Sequence, residues 1–293
     1  MGRITENPNW SNRPRTIDVS LTGVCQLDCP FCWGEDHAVG TIYGEDEWKN
    51  LLRKFRESGT LGVVFTGGEP LTTKILSSVL RYAKEALSMR TTLSTNAILL
   101  EKQHRFLLPW VDDLGLPLDG STPEVNKLMR PGEIDNFGDV IEGIKLVQSD
   151  YPNVDLTVRS VIARPNINDI ANIPQTLLNN GVNLSQIRYK LYQVEPIGPR
   201  ADVVDTKEWR ASEDECKLVE SVVRGRYPLL SVTLQLYKKT SGRYYQIGPT
   251  GNACGIYINK MGIPQMVDLG NPMTDFDNAL EVIDSKRLLL STH

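Results

Sequence analysis

Three cysteines lie within eight residues, directly after a predicted strand. The strand, residues 16–21, alternates apolar and polar residues, and the cysteines that follow it are Cys25, Cys29 and Cys32. Loops that bind cofactors usually follow the carboxyl ends of strands in α/β folds. This arrangement therefore predicts an α/β fold with a cofactor loop at the end of its first strand.

The spacing of these cysteines indicates what they bind. Thiolates at C-x3-C-x2-C spacing can hold three irons of a [4Fe-4S] cluster and leave the fourth iron to a ligand from outside the protein. The alternatives are a tetrahedral zinc site with His37 as its fourth ligand, and a set of buried structural thiols. Three cysteines crowded into one loop do not look like a disulfide framework; in a reducing compartment they more often bind metal.

Strands and helices alternate regularly between residues 16 and 194. Six strands are predicted, at residues 16–21, 61–66, 90–94, 112–118, 154–163 and 186–194. Helices are predicted between them, at residues 45–57, 72–87, 101–108, 137–148 and 169–179. Parallel strands joined by helices need right-handed crossovers, and six such units fit a partial (β/α)6 barrel whose strand ends line a cavity.

The pattern changes after residue 200. A helix is predicted at residues 212–223 and a strand at 229–236, followed by short β-segments near 244–247, 254–258 and 265–267. We interpret residues 1–15 as an N-terminal segment and 16–200 as the barrel core. Residues 201–293 are interpreted as a small β-rich extension that covers the open side of the barrel.

Glycines and polar residues follow several predicted strands. They are Gly67-Gly68-Glu69-Pro70 after the second strand, Ser94-Thr95-Asn96 at the end of the third and Asp119 after the fourth. Glycine lets a backbone approach a ligand closely. The polar side chains offer the donors and acceptors that a ribose needs, although turns and helix caps also use them.

The three cysteines, with Phe31 before the last of them and the Gly67 to Pro70 turn after them, resemble the radical S-adenosylmethionine (SAM) superfamily. The resemblance covers residues 16–194 and implies a partial (β/α)6 radical SAM barrel. It implies that SAM binds the open iron of one [4Fe-4S] cluster through its amino and carboxylate groups. Reduction by an external electron donor, such as flavodoxin or ferredoxin, then cleaves SAM to a 5′-deoxyadenosyl radical that removes a hydrogen atom from a substrate.

The resemblance also implies which residues bind SAM. They are Phe31, Gly67, Gly68, Glu69, Pro70, Ser94, Asn96, Asp119, Arg130 and Ser160. Arg130 and Ser160 lie in segments similar to those of viperin-like enzymes, where an arginine and a serine hold the carboxylate and other polar parts of SAM. A guanidinium suits a carboxylate because two parallel donors meet two oxygens. A surface salt bridge is the alternative for Arg130.

Residues 189–193 are similar to the sixth strand of viperin-like enzymes, which implies that they contact the substrate. By this resemblance Lys190 binds a phosphate or a carboxylate; the alternative is a lysine that extends from the strand end to water. Tyr192 lies on the same face of the strand as Lys190. Three roles are open for it: a core residue, a platform on which a substrate stacks, or a radical relay. We assign Lys190 and Tyr192 as candidate catalytic residues.

The C-terminal residues resemble the SPASM or twitch-type extension of some radical SAM enzymes. The similar skeleton runs from Asn252 to Asn271, but nearly all of the cysteines of such extensions are missing. Cys216 and Cys254 cannot supply the ligands of a second cluster. We therefore expect one cluster, and a C-terminal extension that covers the substrate.

The expected substrate is a small polar molecule, first a nucleotide, nucleoside or sugar-nucleoside. The expected reaction is a dehydration or decarboxylation in natural product biosynthesis, by a lyase or an oxidoreductase. Radical modification of a peptide is the alternative, although the N-terminal segment is too short to be a leader-peptide recognition domain. The alternative of another class is a non-catalytic Fe-S or zinc protein.

Charge and hydropathy restrict the partners and the location. A net charge of -4 argues against nucleic acid, since phosphates are neutralised by basic surfaces. There is no apolar run of 18 residues and no apolar secretory signal at the N-terminus. The sequence therefore predicts a soluble, cytoplasmic protein with no membrane partner.

Overall fold

The computed structural model describes residues 14–34, 39–239, 244–258 and 264–285. Its strands are β1 (Thr16–Ser20), β2 (Gly62–Thr66), β3 (Arg90–Ser94), β4 (Asp113–Pro117), β5 (Asp155–Ile162), β6 (Ile187–Gln193), β7 (Ser231–Gln235), β8 (Tyr245–Ile247), β9 (Ala253–Ile258) and β10 (Pro264–Asp268). Its helices are α1 (Glu45–Glu57), α2 (Leu76–Glu85), α3 (Leu100–Leu107), α4 (Pro123–Met129), α5 (Phe137–Asp150), α6 (Ile173–Asn179), α7 (Ala201–Val204), α8 (Glu213–Arg226) and α9 (Phe276–Ser285). The predicted α/β fold class is confirmed.

The first six strands form the predicted parallel sheet. Each strand from β1 to β5 pairs in parallel with the next strand along the chain, and helices make the connections. The carboxyl ends of parallel strands lie at the same edge of a sheet. The cysteine loop, the glycine turn and the segment after Ser94 therefore meet at one end of a partial barrel.

The extension adds strands to both edges of this sheet. Strand β7 pairs in parallel with β6, β8 pairs in parallel with β1, and β9 and β10 continue as antiparallel strands. The resulting sheet has the order β10-β9-β8-β1-β2-β3-β4-β5-β6-β7. Between β7 and β8, the Gln235 carboxamide donates a hydrogen bond to the Tyr244 hydroxyl at 2.7 Å. The C-terminal residues thus widen the barrel wall at both edges of the sheet.

Helix α1 illustrates how the helices pack on the sheet. Its apolar side chains recur at helical spacing and are buried: Trp48, Leu51, Leu52 and Phe55. Each such burial contributes on the order of 1.5–3 kcal/mol relative to exposure. Gly59 has a φ of +107°, which glycine adopts at little cost, and it ends the helix at the predicted position.

Helix α4 is not predicted by apolar periodicity, because its seven residues are too few to show it. Its start does carry a local signal. The Thr122 side chain accepts a hydrogen bond from the Val125 amide at 3.4 Å, and Pro123 occupies the first helical position. The helix ends at Met129, and its C-cap residue, Arg130, belongs to the site described below.

Alternate strand residues face opposite sides of the sheet. One set is buried in the core beneath the helices, including Val19, Phe65 and Leu93. The other set faces the barrel interior, including Asp18 and Tyr192. Among the described residues, no helix is both long enough and apolar enough to cross a membrane.

Candidate functional site

Two adjoining cavities lie at the carboxyl ends of the strands. The cysteine cavity, of about 240 Å³, is lined by the three predicted cysteine ligands together with Gly67, Gly68, Glu69, Ser94, Asn96 and Arg130. The inner cavity, of about 300 Å³, is lined by residues that include Asp18, Trp33, Glu195, Tyr244 and Gln246. Arg159 and Tyr192 line both cavities, so the two spaces share one wall.

Hydrogen-bond donors surround the three cysteine sulfurs. The Leu27 amide lies 3.4 Å from Cys25 Sγ, and the Gly34 amide lies 3.3 Å from Cys32 Sγ. Arg130 Nη1 lies 3.7 Å from Cys29 Sγ. Burial raises the pKa of Cys29 to about 12, and the positive charge of Arg130 opposes this rise. These donors would stabilise thiolates bound to a metal cluster.

The cysteine loop is held in place through its backbone. The Asp28 amide donates a hydrogen bond to Pro131 O at 2.6 Å, and Leu27 forms an isolated β-bridge with Gly132. Arg200 Nη1 donates a hydrogen bond to Cys29 O at 3.0 Å. These contacts fix the loop against the segment that follows α4 and against Arg200, the residue before α7.

The donor set fits a three-cysteine [4Fe-4S] cluster. All three cysteines are free thiols that face one cavity, and each has a donor near its sulfur. Within the described ranges, no three His, Cys, Asp or Glu side chains are arranged to hold a single metal ion. His37, the fourth ligand of the zinc alternative, lies outside the described residues.

The two glycines of the Gly67 to Pro70 turn approach the backbone of the cysteine loop. Gly67 has a φ of +121°, and a Cβ on Gly68 would lie 2.1 Å from Gly23 O. The Gly68 amide also donates a hydrogen bond to Thr22 O at 2.9 Å. The sequence analysis predicts that these glycines let the backbone approach a ligand closely. In the structure their close contact is with the backbone of the cysteine loop. Both glycines also line the cysteine cavity.

Glu69 joins the glycine turn to the end of β3. Its buried carboxylate accepts hydrogen bonds from the Leu71 amide at 3.0 Å, the Thr95 hydroxyl at 2.6 Å and the Asn96 amide at 2.6 Å. Burial raises its pKa to about 7, and these three hydrogen bonds oppose the rise. Pro70 begins a short 3₁₀ helix and is not part of the cavity wall.

Ser94 and Asn96 both line the cysteine cavity, where the sequence placed them. Ser94 Oγ accepts a hydrogen bond from Arg159 Nη1 at 2.9 Å. Asn96 Nδ2 donates a hydrogen bond to Gln26 Oε1 at 3.0 Å and lies 3.9 Å from Cys25 Sγ. The end of β3 is therefore in direct contact with the cysteine loop.

Asp119 and Arg130 form a buried ion pair. The Asp119 carboxylate is fully buried; it contacts Arg130 Nε and accepts a hydrogen bond from the Val161 amide at 2.6 Å. The Arg130 guanidinium lies 5.2 Å from the centre of the Phe31 ring. Asp119 is in the wall of neither cavity, and its side chain contacts Arg130, which is in the wall of the cysteine cavity.

Ser160 lies away from both cavities. Its hydroxyl is fully buried, contacts Leu118 O and lies 3.0 Å from the Tyr189 hydroxyl, on the outer face of β5. The neighbouring residue, Arg159, faces the interior instead. Arg159 was not among the predicted site residues. The available sequence signal was Gly115, a glycine inside a predicted strand. It leaves room for Arg159, since a Cβ on Gly115 would lie 2.4 Å from Arg159 Cζ.

Lys190 and Tyr192 share the inner face of β6, as predicted, but only Tyr192 reaches the cavities. Burial lowers the pKa of Lys190, and the nearby charge of Arg159 lowers it further.

The inner cavity contains residues that the sequence analysis did not select. Asp18 is the polar residue in the middle of β1, and Gln246 is its Cα partner on β8. Burial raises the pKa of Asp18 to about 7, while the charge of Arg159 opposes the rise. Trp33 and Tyr244 pack edge to face with ring centres 5.3 Å apart. A charged residue at an inward-facing position of a strand was the available signal for Asp18.

Comparison with known families agrees with this site. Residues 19–173, more than half of the 293 residues, match the family model of the radical SAM superfamily. The chain belongs to the radical SAM superfamily. Membership implies a [4Fe-4S] cluster and SAM as cofactors, which the three-cysteine cavity fits.

Similar proteins within the superfamily differ in what they act on. A PqqA peptide cyclase of Bradyrhizobium diazoefficiens is 27% identical over 81% of this chain and 65% of its own length. A probable GTP 3′,8-cyclase of Methanococcus maripaludis is 28% identical over 53% of this chain and 55% of its own length. The present chain thus spans between about half and two thirds of the length of these curated relatives.

Solved structures confirm the radical SAM fold. Streptococcus suis SuiB bound to precursor peptide SuiA superposes with a TM-score of 0.67 at 17% identity, covering 83% of this chain and 59% of SuiB. SuiB bound to S-adenosylmethionine superposes with a TM-score of 0.62 over the same share of this chain and 60% of SuiB. At this level of identity the likeness concerns the fold alone.

Proposed function

We propose that this radical SAM protein is an enzyme that holds one [4Fe-4S] cluster at Cys25, Cys29 and Cys32. SAM occupies the cysteine cavity, and a small polar substrate occupies the inner cavity. The observation that carries the proposal is the shared wall: the thiols face a cavity that has Arg159 and Tyr192 in common with the wall of a second cavity.

The residues of the cysteine cavity suit the polar groups of SAM. Arg130 and Arg159 bring two guanidinium groups to its wall, and a guanidinium matches a carboxylate with two parallel donors. Ser94 and Asn96 offer hydroxyl and amide groups for the ribose, and the backbone of Gly67 and Gly68 offers acceptors for the amino group. A cluster held by Cys25, Cys29 and Cys32 would supply one electron for the reductive cleavage of SAM, and the inner cavity would hold the substrate beside it.

The inner cavity favours a substrate without phosphate groups. Of the charged residues in its wall, Asp18 and Glu195 are carboxylates and Arg159 is a cation. Lys190, the expected phosphate ligand, is not in the wall. An unphosphorylated nucleoside or sugar-nucleoside is therefore the better candidate than a nucleotide, with dehydration or decarboxylation as the reaction of a lyase or oxidoreductase. Aromatic Trp33, Tyr192 and Tyr244 offer surfaces on which a base can stack.

A peptide is the second candidate substrate. It is favoured by the PqqA peptide cyclase, which aligns with 81% of this chain, more than the GTP cyclase does. In this case one side chain of the peptide enters the inner cavity. For either substrate, the proposal includes a cytoplasmic location and an external electron donor such as flavodoxin or ferredoxin.

Anaerobic reconstitution tests the proposal. The protein is loaded with iron and sulfide, its metals are quantified, and SAM and dithionite are added. We expect about four irons per chain and formation of 5′-deoxyadenosine. Zinc in place of iron, or no 5′-deoxyadenosine from an iron-loaded sample, would overturn it. Unphosphorylated nucleosides, nucleoside sugar acids, nucleotides and peptides are then compared by how far each stimulates 5′-deoxyadenosine release.

A further inference from the structure

Three polar side chains in the inner cavity have no hydrogen-bond partner within the part of the chain that the structure describes. They are the carboxylate of Asp18, the hydroxyl of Tyr192 and the carboxamide of Gln246, and all three belong to the cavity wall. Polar groups withdrawn from bulk water are usually satisfied by a partner, because an unmade hydrogen bond costs free energy. These groups are therefore available to a ligand.

The three side chains converge on the same space. Asp18 on β1 and Gln246 on β8 are Cα partners in a parallel ladder, so their side chains lie side by side on the interior face. Tyr192 faces them from β6, on the far side of the barrel interior. Carboxylate, carboxamide and phenol oxygens can all accept hydrogen bonds from one donor-rich group.

The charge of the wall is unbalanced around this space. Arg159 is the cation in the wall, and its positive charge lowers the pKa of Asp18. Its guanidinium donates its hydrogen bond to Ser94 Oγ at 2.9 Å and lies over Gly115, beside the cysteine cavity. Asp18 and Glu195 are the acidic residues. A ligand with negative charge would face two carboxylates, whereas a cation would be attracted by both.

The size and apolar surfaces of the cavity limit the group that fits. A volume of about 300 Å³ is at the small end for ligand sites. Trp33 and Tyr244, packed edge to face, supply an aromatic surface on the side of the extension. Aromatic rings attract cations as well as planar groups. The space therefore suits one compact group of a substrate.

We infer that the substrate group bound in the inner cavity is a cationic nitrogen group, an ammonium or a guanidinium, held by the Asp18 carboxylate with Tyr192 and Gln246 as further acceptors. This inference rests on the proposed function, because it takes the inner cavity as the substrate site. It narrows both candidate substrates: the nucleoside carries an amino group, or the peptide presents a basic side chain. The raised pKa of Asp18 agrees, since a carboxyl that is costly to ionise alone gains most from a cationic partner.

Matched small probes test the inference. Benzamidine, benzamide and benzoate have nearly the same shape and carry a positive charge, no charge and a negative charge. Each is titrated by calorimetry into the iron-loaded protein with SAM and without reductant, at pH 8. We expect benzamidine to bind at least tenfold more tightly than benzamide, and benzoate to bind most weakly. Equal or tighter binding of benzoate, or no binding of benzamidine at millimolar concentrations, would overturn the inference.

Variants identify the residue responsible. Asp18→Asn should bind benzamidine and benzamide equally, while keeping wild-type iron content and circular dichroism. The matched control is Asp214→Asn, because the Asp214 side chain is 98% exposed on α8; it should keep the preference for benzamidine. If Asp18→Asn also keeps that preference, Asp18 is not the cation site. Release of 5′-deoxyadenosine, measured after dithionite is added to the same protein samples, tests the proposed function separately, since it needs none of the three probes.

Discussion

Arg159 on β5 donates a hydrogen bond to Ser94 on β3 at 2.9 Å, although β4 lies between the two strands. The guanidinium passes over Gly115 of β4, where a Cβ would lie 2.4 Å from Arg159 Cζ. Only glycine leaves room for this contact. The glycine therefore sets the position of a guanidinium that belongs to the walls of both cavities.

Gly115→Ala should displace Arg159 and weaken SAM binding. The added methyl group occupies the space of the Arg159 guanidinium. Loss of one hydrogen bond between this charged group and SAM would weaken the binding free energy by about 1.5–3 kcal/mol, which is roughly tenfold or more in affinity. Equilibrium dialysis of SAM against the iron-loaded protein measures this loss. Gly138→Ala is the control, because nothing lies within 4 Å of its Cβ position. Equal affinity in the two variants would show that Arg159 does not contribute to binding.

The predicted parts of the site are those that depend on local sequence. The cysteine spacing, the glycine turn and the end of β3 are each adjacent to a predicted strand, and the structure brings them to one cavity. Arg159 and Ser160 show where local sequence fails. Strand β5 has apolar residues on both faces, Val158 outside and Val161 inside, so alternation does not decide which neighbour points inward.

The edges of the sheet could not be predicted for a different reason. The pairing of β8 with β1 joins residues more than 200 positions apart, at Asp18 and Gln246. Short strands of three residues carry too little periodicity to specify a partner. The inner cavity depends on this pairing, and so most of its wall was not predicted.

Cys29→Ala should prevent assembly of the cluster, because it removes one of three protein ligands. The barrel should stay folded, since Cys29 lies in a loop and belongs to neither of the two hydrophobic core clusters. Iron content per chain and circular dichroism measure the two effects. Cys254→Ala, on β9 and outside the cysteine cavity, serves as control and should bind wild-type amounts of iron. Unchanged iron in Cys29→Ala would contradict the ligand assignment.

Arg130→Met should destabilise the protein by about 3–5 kcal/mol, the usual cost of leaving a buried charge without its partner. Asp119 would remain fully buried, whereas the Arg130 side chain is itself 15% exposed. Urea unfolding measures the loss. Arg53→Met removes a surface ion pair, with side chains 44% and 61% exposed, and should cost less than about 1 kcal/mol. The double variant Arg130→Met with Asp119→Asn should recover part of the stability; no recovery would argue against the pair.

Tyr192→Ala should reduce substrate-stimulated release of 5′-deoxyadenosine at least tenfold, while unstimulated release stays near the wild-type level. Tyr192 lies in the wall shared by both cavities, so its loss affects how the substrate is positioned against SAM. Lys190→Met should change stimulated release less than threefold, because Lys190 is in neither wall. Both rates are measured by chromatography with and without the best substrate. The reverse order of effects would restore Lys190 as the substrate ligand.

The stability of the protein should fall as the pH rises from about 4 towards 7, and Asp18 should be a cause. Its pKa is raised from 3.8 to about 7 in the folded protein, mainly by burial. The charged and titratable groups near it are Arg159 on β5, Tyr192 on β6, Glu195 after β6 and Tyr244 before β8. Of these, the positive charge of Arg159 lowers the pKa of Asp18 but does not offset burial.

The sign follows from proton linkage. Between about pH 4 and pH 7 the folded protein retains a proton on Asp18 that the unfolded chain has released, so this contribution to stability is complete below pH 4 and is lost as the pH approaches 7. A shift of about three pKa units corresponds to at most about 4 kcal/mol. Urea unfolding of cluster-free wild type and Asp18→Asn at pH 5, 6, 7 and 8 measures it. The wild type should lose stability relative to Asp18→Asn over this range, while Asp214→Asn should follow the wild type. A constant difference between wild type and Asp18→Asn would mean that Asp18 is already ionised at pH 5, and that the barrel interior stabilises its charge.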